Sequence, residues 1–327
     1  MARESAWEAL GTIAMQRATY PPHPGLIGAG PAAPETVASF ERRKFQKPGF
    51  PIGWMIVVPS VWLVIFLVLP LIGIIVFSFW KFTGYGMSPD LTWTNYAQFF
   101  TSAIYVETLF TTFRLTLVTM LICLLLGYPI AYFLSMQIKS FKWQLSLFLL
   151  CMVPFWTSYL IRAVAWIPML GRQGLINNML MGTGLVDEPV SFFLYSEFGL
   201  TMALVQLYVV LCVGPIFFSL AKIEPAILEA ARDMGATGFQ VFREIILPLS
   251  LPGVAIGMIF VFVMVMGEFA TAGVVGGGKT SMVGNVILNL MGIAQYPFAA
   301  VNALMLMVGM MVGVVIIMKL VDIRKQL

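Results

Sequence analysis

The run Gly273-Val274-Val275-Gly276-Gly277-Gly278-Lys279-Thr280 fits the expression G-x-x-x-x-G-K-[ST] at every position. In that spacing a glycine-rich turn offers backbone N–H groups to phosphate oxygens while the lysine neutralises them, which is nucleotide-binding chemistry. Two ionisable residues, Arg162 and Glu268, stand inside otherwise apolar stretches, where a charge marks a solute pathway, a gate or a mutual pair. Trp156 and Tyr159, three positions apart just past Pro154, share a helix face on which a cation can stack. Helix packing or lipid contact is the alternative use of that pair. Elsewhere the chemistry is sparse. His23 is the single histidine, so a histidine-rich metal site is excluded and a Ser-His-Asp triad would have to recruit it from the N-terminal tail. Cys123, Cys151 and Cys212 form no C-x-x-C pair and fall in apolar stretches, where packing is their expected role.

The elements that carry these residues follow from composition. Hydrophobic residues make up 60% of the 327 positions and charged residues 10%, with a mean hydropathy of +0.92. That mixture cannot wrap a soluble core in a polar surface, so the expected fold is an all-α polytopic membrane protein. Six stretches reach the ~20 apolar residues that a helix needs to cross a hydrocarbon core. They lie near 54–80, 109–137, 143–170, 198–223, 251–275 and 297–321. Their continuity argues against a β-barrel, whose shorter strands would be polar at alternate positions. Trp54 and Trp80 suit interfacial anchoring of the first stretch, and Pro59 and Pro70 are expected to bend it.

Orientation follows from the basic residues. Arg42, Arg43, Lys44, Lys139, Lys142, Lys222, Arg232, Arg243, Lys319 and Arg324 fall on one side of the spans, with only Lys81, Arg172 and Lys279 opposite. The positive-inside rule then places both termini and the segment 224–249 in the cytoplasm. The pI near 9.0 is explained by this topology, and no nucleic-acid partner is read from it. The same topology dismisses the phosphate-binding reading. A P-loop needs a buried strand feeding a turn into a helix on the side where ATP is present. Here the turn follows a membrane span, faces outward, and no soluble region is large enough for a nucleotide-binding domain. The tail over residues 1–48 has no apolar signal-peptide core. Its segment Ala6 to Met15 reads either as an amphipathic helix with Trp7, Leu10 and Ile13 on one side, or as part of a disordered tail with basic anchors. No internal repeat is apparent, which counts against an inverted-repeat secondary transporter.

Between the fourth and fifth spans, Glu229-Ala230-Ala231-Arg232-Asp233-Met234-Gly235 is followed after nine residues by Ile245-Ile246-Leu247-Pro248. Ala, Glu and Arg favour a helix, and Gly235 and Gly238 permit the tight turn that ends it. Pro248 and Pro252 limit how the next helix begins. A short charged helix bound on both sides by membrane spans suits a rigid contact that receives mechanical work. The pattern resembles the EAA signature of the membrane subunits of bacterial binding-protein-dependent ABC importers, at every position. Gly267-Glu268-Phe269-Ala270-Thr271 through Thr280, Pro154 to Arg162 with Trp166, and Gly174 to Asn178 are similar to the spermidine/putrescine permease branch, and Leu91 to Phe100 resembles the aromatic NY segment that precedes the core of such subunits.

The resemblance implies a type I importer fold of six transmembrane helices with both termini cytoplasmic. Its divisions would be a tail at 1–48, a first helix and external loop at 49–107, a core at 108–321 containing the coupling loop 224–249, and a C-terminus at 322–327. It implies that Glu229, Ala230, Ala231 and Gly235 dock on a cytoplasmic ABC ATPase dimer, that ATP and Mg are bound there, and that this chain is non-catalytic and carries no cofactor. A second related permease subunit and a periplasmic solute-binding protein complete the assembly in the bacterial inner membrane. The implied solute is a polyamine, with betaine-like, opine or organophosphonate solutes as alternatives. Glu268 lies about 17 residues past Leu251, roughly 25 Å along a helix, and Arg162 at a similar depth past Trp143. Paired, they would form a gate or structural link; unpaired, Glu268 would be the counter-charge of a cationic solute. Acidic residues outnumber basic ones outside, at Asp90, Glu107, Asp187, Glu188 and Glu197, which suits a cation. Replacing Lys279 with Ala should leave uptake intact or reduced only modestly; loss of ATP hydrolysis in an otherwise assembled complex would restore the P-loop reading.

Overall fold

The computed structural model describes residues 52–84 and 86–321, with the backbone only for residues 52–55. The tail segment Ala6–Met15, the Trp54 side chain and the C-terminal residues 322–327 lie outside this set. The chain divides into two compact units, residues 1–62 and 63–327. Of the first, the described part is the helix α1 (Ile52–Leu63), whose last residue opens the second unit. A π-helical turn over Val64–Val68 leads into α2 (Leu69–Ser78). Next come a two-stranded antiparallel hairpin of β1 (Lys81–Phe82) and β2 (Met87–Ser88), then α3 (Thr94–Thr101) and α4 (Ala103–Tyr132). After a π-helical turn to Gln137, α5 (Phe141–Met152), a 3-10 turn over Val153–Trp156, α6 (Tyr159–Val164), α7 (Trp166–Leu170) and α8 (Leu175–Gly182) follow. The remainder is α9 (Glu197–Leu220), α10 (Pro225–Asp233), α11 (Gly238–Val241), a π-helical turn over Phe242–Ile246, α12 (Leu247–Met266), α13 (Ala270–Gly276), α14 (Val283–Gly292) and α15 (Tyr296–Leu320).

Five runs among the described residues are single helices long and apolar enough to cross a membrane: Ile56–Ser78, Ala103–Gln137, Glu197–Leu220, Gly238–Met266 and Tyr296–Leu320. The third expected span, 143–170, is broken. Phe141–Trp156 and Tyr159–Gly182 meet at 83°, because Pro154 ends the ladder in a 3-10 turn and Thr157 and Ser158 are extended. Conversely, Pro70 does not interrupt the first span. Leu69 donates its N–H to Val64 O, a step of five residues, so the ladder widens one turn ahead of the proline and the helix runs on. Leu247 does the same to Phe242 O before Pro248. The fifth helix therefore starts at Gly238 rather than near Leu251, and Pro252 lies within it.

The core is α9 packed between α4 and α12. Leu200, Leu204, Leu207, Ile216 and Leu220 of α9 are fully buried, with Phe262 and Met266 of α12. Close approach is set by glycine. A Cβ on Gly253 would lie 2.5 Å from Pro215 O, and one on Gly257 would crowd the Cys212 backbone. On α15, Gly309 and Gly313 leave room for the rings of Phe113 and Phe262. Cys123 and Cys212 are buried packing residues, as expected.

The NY segment has a structural task. The last carbonyls of a helix lack partners within it, and buried Asn95 donates through Nδ2 to Ser78 O at 2.9 Å and Trp80 O at 2.8 Å. Tyr96 shares a 2.7 Å hydrogen bond with Ser78 Oγ. Asn95→Leu should lower the melting temperature of the detergent-purified protein, since each unmet buried carbonyl costs about 1–3 kcal/mol, whereas Thr94→Ala, at the exposed end of α3, should leave it near wild type.

Candidate functional site

α12 stops at Met266 and α13 begins at Ala270, so three residues bridge a helix break. Glu268 lies in that bridge and is only 5% exposed. Its Oε1 accepts the Thr271 N–H at 2.8 Å, satisfying a donor of the first turn of α13. Its Oε2 accepts the Tyr208 hydroxyl, which reaches across from α9. Asn285 closes the same bridge by donating Nδ2 to Phe269 O at 2.6 Å. The break is thus held by side chains from three directions.

A cleft of about 480 Å³ opens on this carboxylate, with Arg162, Tyr159 and Phe155 on one wall, Tyr208 on another, and Phe269 beside Glu268. The structure brings Glu268, Arg162 and Tyr159 to one cleft, because α6 packs against both α13 and α9. Arg162 and Glu268 nevertheless form no ion pair. Among the described residues the ion pair is Arg114–Glu197, while Arg162 Nε is buried without a hydrogen-bond partner. Trp156 departs from expectation. It is 80% exposed and does not line the cleft, since the extended Thr157 and Ser158 break the helical register that would have put it on the face of Tyr159.

Tyr208 is the residue that sequence reasoning missed. Within the apolar α9 a tyrosine reads as packing, and only its hydroxyl, which needs a partner when buried, could have marked it.

The segment 224–249 forms a second surface. α10 ends in a Schellman turn, with Gly235 at φ +86°, its N–H on Arg232 O at 2.9 Å and the Ala236 N–H on Ala231 O at 3.0 Å. Thr237 and Gln240 then form a reciprocal capping box that starts α11. Glu229, Ala230 and Gly235 are exposed. Ala231 is not: it is 5% exposed and packs into the core of its own chain, so its small size serves internal contact. Two apolar residues absent from the expected contact set, Met234 at 84% and Phe239 at 70% exposure, flank Gly235 instead. On the inner side of α10, Glu229 and Arg232 line a cleft with Lys139 and Gln144.

The P-loop-like run is built for another purpose. Helices, not a strand, precede it, with Gly273 and Gly276 inside α13. Gly277 and Gly278 take φ +57° and +78°, and a Cβ on Gly277 would lie 2.0 Å from the Tyr195 ring. The glycines therefore make room for Tyr195, whose N–H bonds Val275 O at 3.2 Å. Lys279 lines a polar cleft with Glu107, Arg114 and Glu197.

Residues 125–325 match the family described as the binding-protein-dependent transport system inner membrane component. The chain is 35% identical over 258 residues to the spermidine/putrescine transport system permease protein PotB of Escherichia coli (strain K12), covering 78% of this chain and 92% of that protein. The PotB of Haemophilus influenzae is 34% identical over 69% of this chain and 78% of its own length. The inner membrane ABC transporter permease protein YdcU of Escherichia coli is 29% identical over 78% and 85%. Among solved structures, a chain of a bacterial alginate ABC transporter in complex with an alginate pentasaccharide-bound periplasmic protein superposes with a TM-score of 0.67 at 20% identity, over 81% of this chain and 92% of that one. That likeness establishes a shared type I importer fold. The matched residues contain the whole EAA pattern and the Glu268 break, and the chain belongs to the inner membrane components of binding-protein-dependent transport systems, as a multi-pass, non-catalytic permease subunit.

Proposed function

We propose that this chain forms half of the translocation pathway of an ATP-driven importer for a polyamine of the putrescine or spermidine kind. The observation that carries the reading is a buried carboxylate in an aromatic-walled cleft, on a chain one third identical to permeases named for those solutes. An ionised carboxylate has roughly four acceptor sites. Two of those on Glu268 are filled, by the Thr271 N–H and the Tyr208 hydroxyl. The others are left for an ammonium, and Tyr159, Phe155 and Phe269 offer ring faces to its methylenes and charge. At Glu268 an anionic organophosphonate would meet the wrong sign.

In this reading both termini and α10 are cytoplasmic. A periplasmic binding protein delivers the solute on the opposite side, and a second, related permease subunit supplies the missing half of the pathway. ATP and Mg bind to a cytoplasmic ATPase dimer that docks on Glu229, Ala230 and Gly235, with Met234 and Phe239 as apolar anchors. The chain itself needs no cofactor. Its motion is an alternation between outward- and inward-facing arrangements.

The test is uptake by the importer assembled in liposomes with its binding protein. Labelled putrescine or spermidine should accumulate with ATP, and a complex that carries a neutral or anionic solute in their place would refute the reading. Tyr208→Phe removes a donor from a buried carboxylate, a loss of about 1.5–3 kcal/mol for a hydrogen bond to a charged group; uptake should fall while membrane assembly persists. Gly235→Val forces a β-branched residue into a left-handed turn, at about 1–2 kcal/mol. That variant and Glu229→Lys should insert normally yet lose ATPase co-purification and transport. Normal co-purification and transport in both would move the docking segment elsewhere, as would accessibility labelling of 224–249 from the periplasm.

A further inference from the structure

The run from α10 to α12 holds a weak point of its own. Pro248 has no N–H to give, and the ladder ahead of it widens to the π-helical turn Phe242–Ile246, where Leu247 reaches back five residues to Phe242 O. Such a turn carries one residue more than an α-helix needs, so it can take up a displacement by changing register instead of passing it on. One side chain of α4 grips both ends of that step. The Tyr128 ring meets Phe242, the first residue of the turn, edge to face at 6.0 Å and 89°. Its hydroxyl shares a 3.0 Å hydrogen bond with Ser250 Oγ, beyond the turn. Ser250 is fully buried and gives its one hydroxyl proton to Leu247 O at 2.9 Å, so Tyr128 is the donor to Ser250. Tyr132, one turn along α4, meets the same Phe242 ring at 6.0 Å and 79°. Tyr128 thus touches the fifth helix before the five-residue step with its ring and after it with its hydroxyl.

Resting on the reading that α10 docks on the ATPase, we propose that Tyr128 is a positioning residue for transport: it braces the π-helical turn against α4, so that a displacement of α10 moves α12 instead of being absorbed in the turn. With the brace in place Phe242 and Ser250 keep a fixed separation, and α11, the turn and α12 move as one body. Without it the turn slips in register, and hydrolysis at one end runs out of step with the pathway at the other. Coupling between two sites is reciprocal in binding free energy. An event at the outer end of α12 therefore reaches α10 through the same brace.

The test compares wild type, Y128F, S250A and Y128F/S250A in the complete importer, reconstituted in liposomes with its binding protein. Y128F keeps the ring against Phe242 and leaves Ser250 bonded to Leu247 O, so the hydroxyl contact alone is lost. Backbone amides of 242–250 should exchange with solvent about fivefold faster in Y128F, the shift in equilibrium that one net hydrogen bond supplies, while those of α9 keep the wild-type rate. The stimulation of ATP hydrolysis by the binding protein, taken relative to each complex's own basal rate, should fall about fivefold. ATP hydrolysed per putrescine taken up should rise. A merely structural tyrosine would lower hydrolysis and uptake together through a smaller amount of assembled complex and leave their ratio at the wild-type value, which overturns the proposal. Unchanged exchange at 242–250 overturns it too. Because both substitutions remove the same bond, Y128F/S250A should match S250A; a further loss in the double variant would mean that Tyr128 acts through another contact. Wild type that refuses putrescine sinks the solute reading alone, and binding-protein stimulation then decides for or against Tyr128. If Glu229→Lys and Gly235→Val uncouple the ATPase while Y128F does not, the docking reading stands and the brace is wrong.

Discussion

Lipid offers no hydrogen-bond partner to a peptide group, so wherever a helix stops at membrane depth the protein must satisfy the freed backbone from within. This constraint organises the chain. Asn95 ties off the carbonyls at the end of α2. Fully buried Asn177 donates to Gly171 O and Val190 O and accepts the Val190 N–H, closing the loop after the broken third span. Thr112 of α4 accepts the Val283 N–H at 3.0 Å where α14 starts. Asn285 and Glu268 together hold the gap between α12 and α13. Each break is a junction where one side chain joins segments far apart in sequence.

Glu268 is the exception among these junctions, and the exception is informative. At Asn95, Asn177 and Asn285 a neutral amide does the work, with no ionic cost in a low-dielectric setting. A Gln or Asn carbonyl would accept the Thr271 N–H equally well. A carboxyl there instead carries acceptor sites beyond that one bond, and backbone satisfaction alone does not account for it. On the proposed reading the carboxyl serves a solute that comes and goes in the cleft, and the aromatic walls suit a cation.

Much of this was legible in the residues. Long apolar runs located the spans, the EAA spacing located α10, and the rarity of charge inside spans singled out Glu268 and Arg162. What failed did so for local reasons. Composition cannot distinguish a continuous span from Phe141–Gly182, since both halves are equally apolar and the break lies in two φ/ψ pairs at Thr157 and Ser158. That same break carried Trp156 away from Tyr159. Pro70 looked like a bend and Pro248 like a limit on where the fifth helix begins, but a π-helical turn just ahead absorbs each, a device with no signature in the residue types. Ala231 matched a docking motif by position, while helix phase turned it inward. The P-loop expression matched perfectly because glycine answers several needs: a left-handed turn and space for the Tyr195 ring require the same residue as a phosphate cradle.

The two surfaces of interest are joined by one element. The helical run that begins at Gly238, three residues past the Schellman glycine, continues to Met266. Its 29 residues span about 43 Å at ~1.5 Å per residue, longer than the hydrocarbon core, and it ends two residues short of Glu268. Gly253 and Gly257 let this rod ride directly on the α9 backbone, and α9 carries Tyr208. On the proposed reading, a displacement of α10 would pass to α11, since Ala231 and Val241 lie in the same core, and then along the helical run to the break. The Tyr208–Glu268 bond joins α9 to the end of this run, so a shift between the two helices would move the carboxylate relative to Arg162 on α6. On the proposed reading, work delivered at the cytoplasmic end needs no relay of small rearrangements to reach the charge in the cleft, because one stiff helix already touches both.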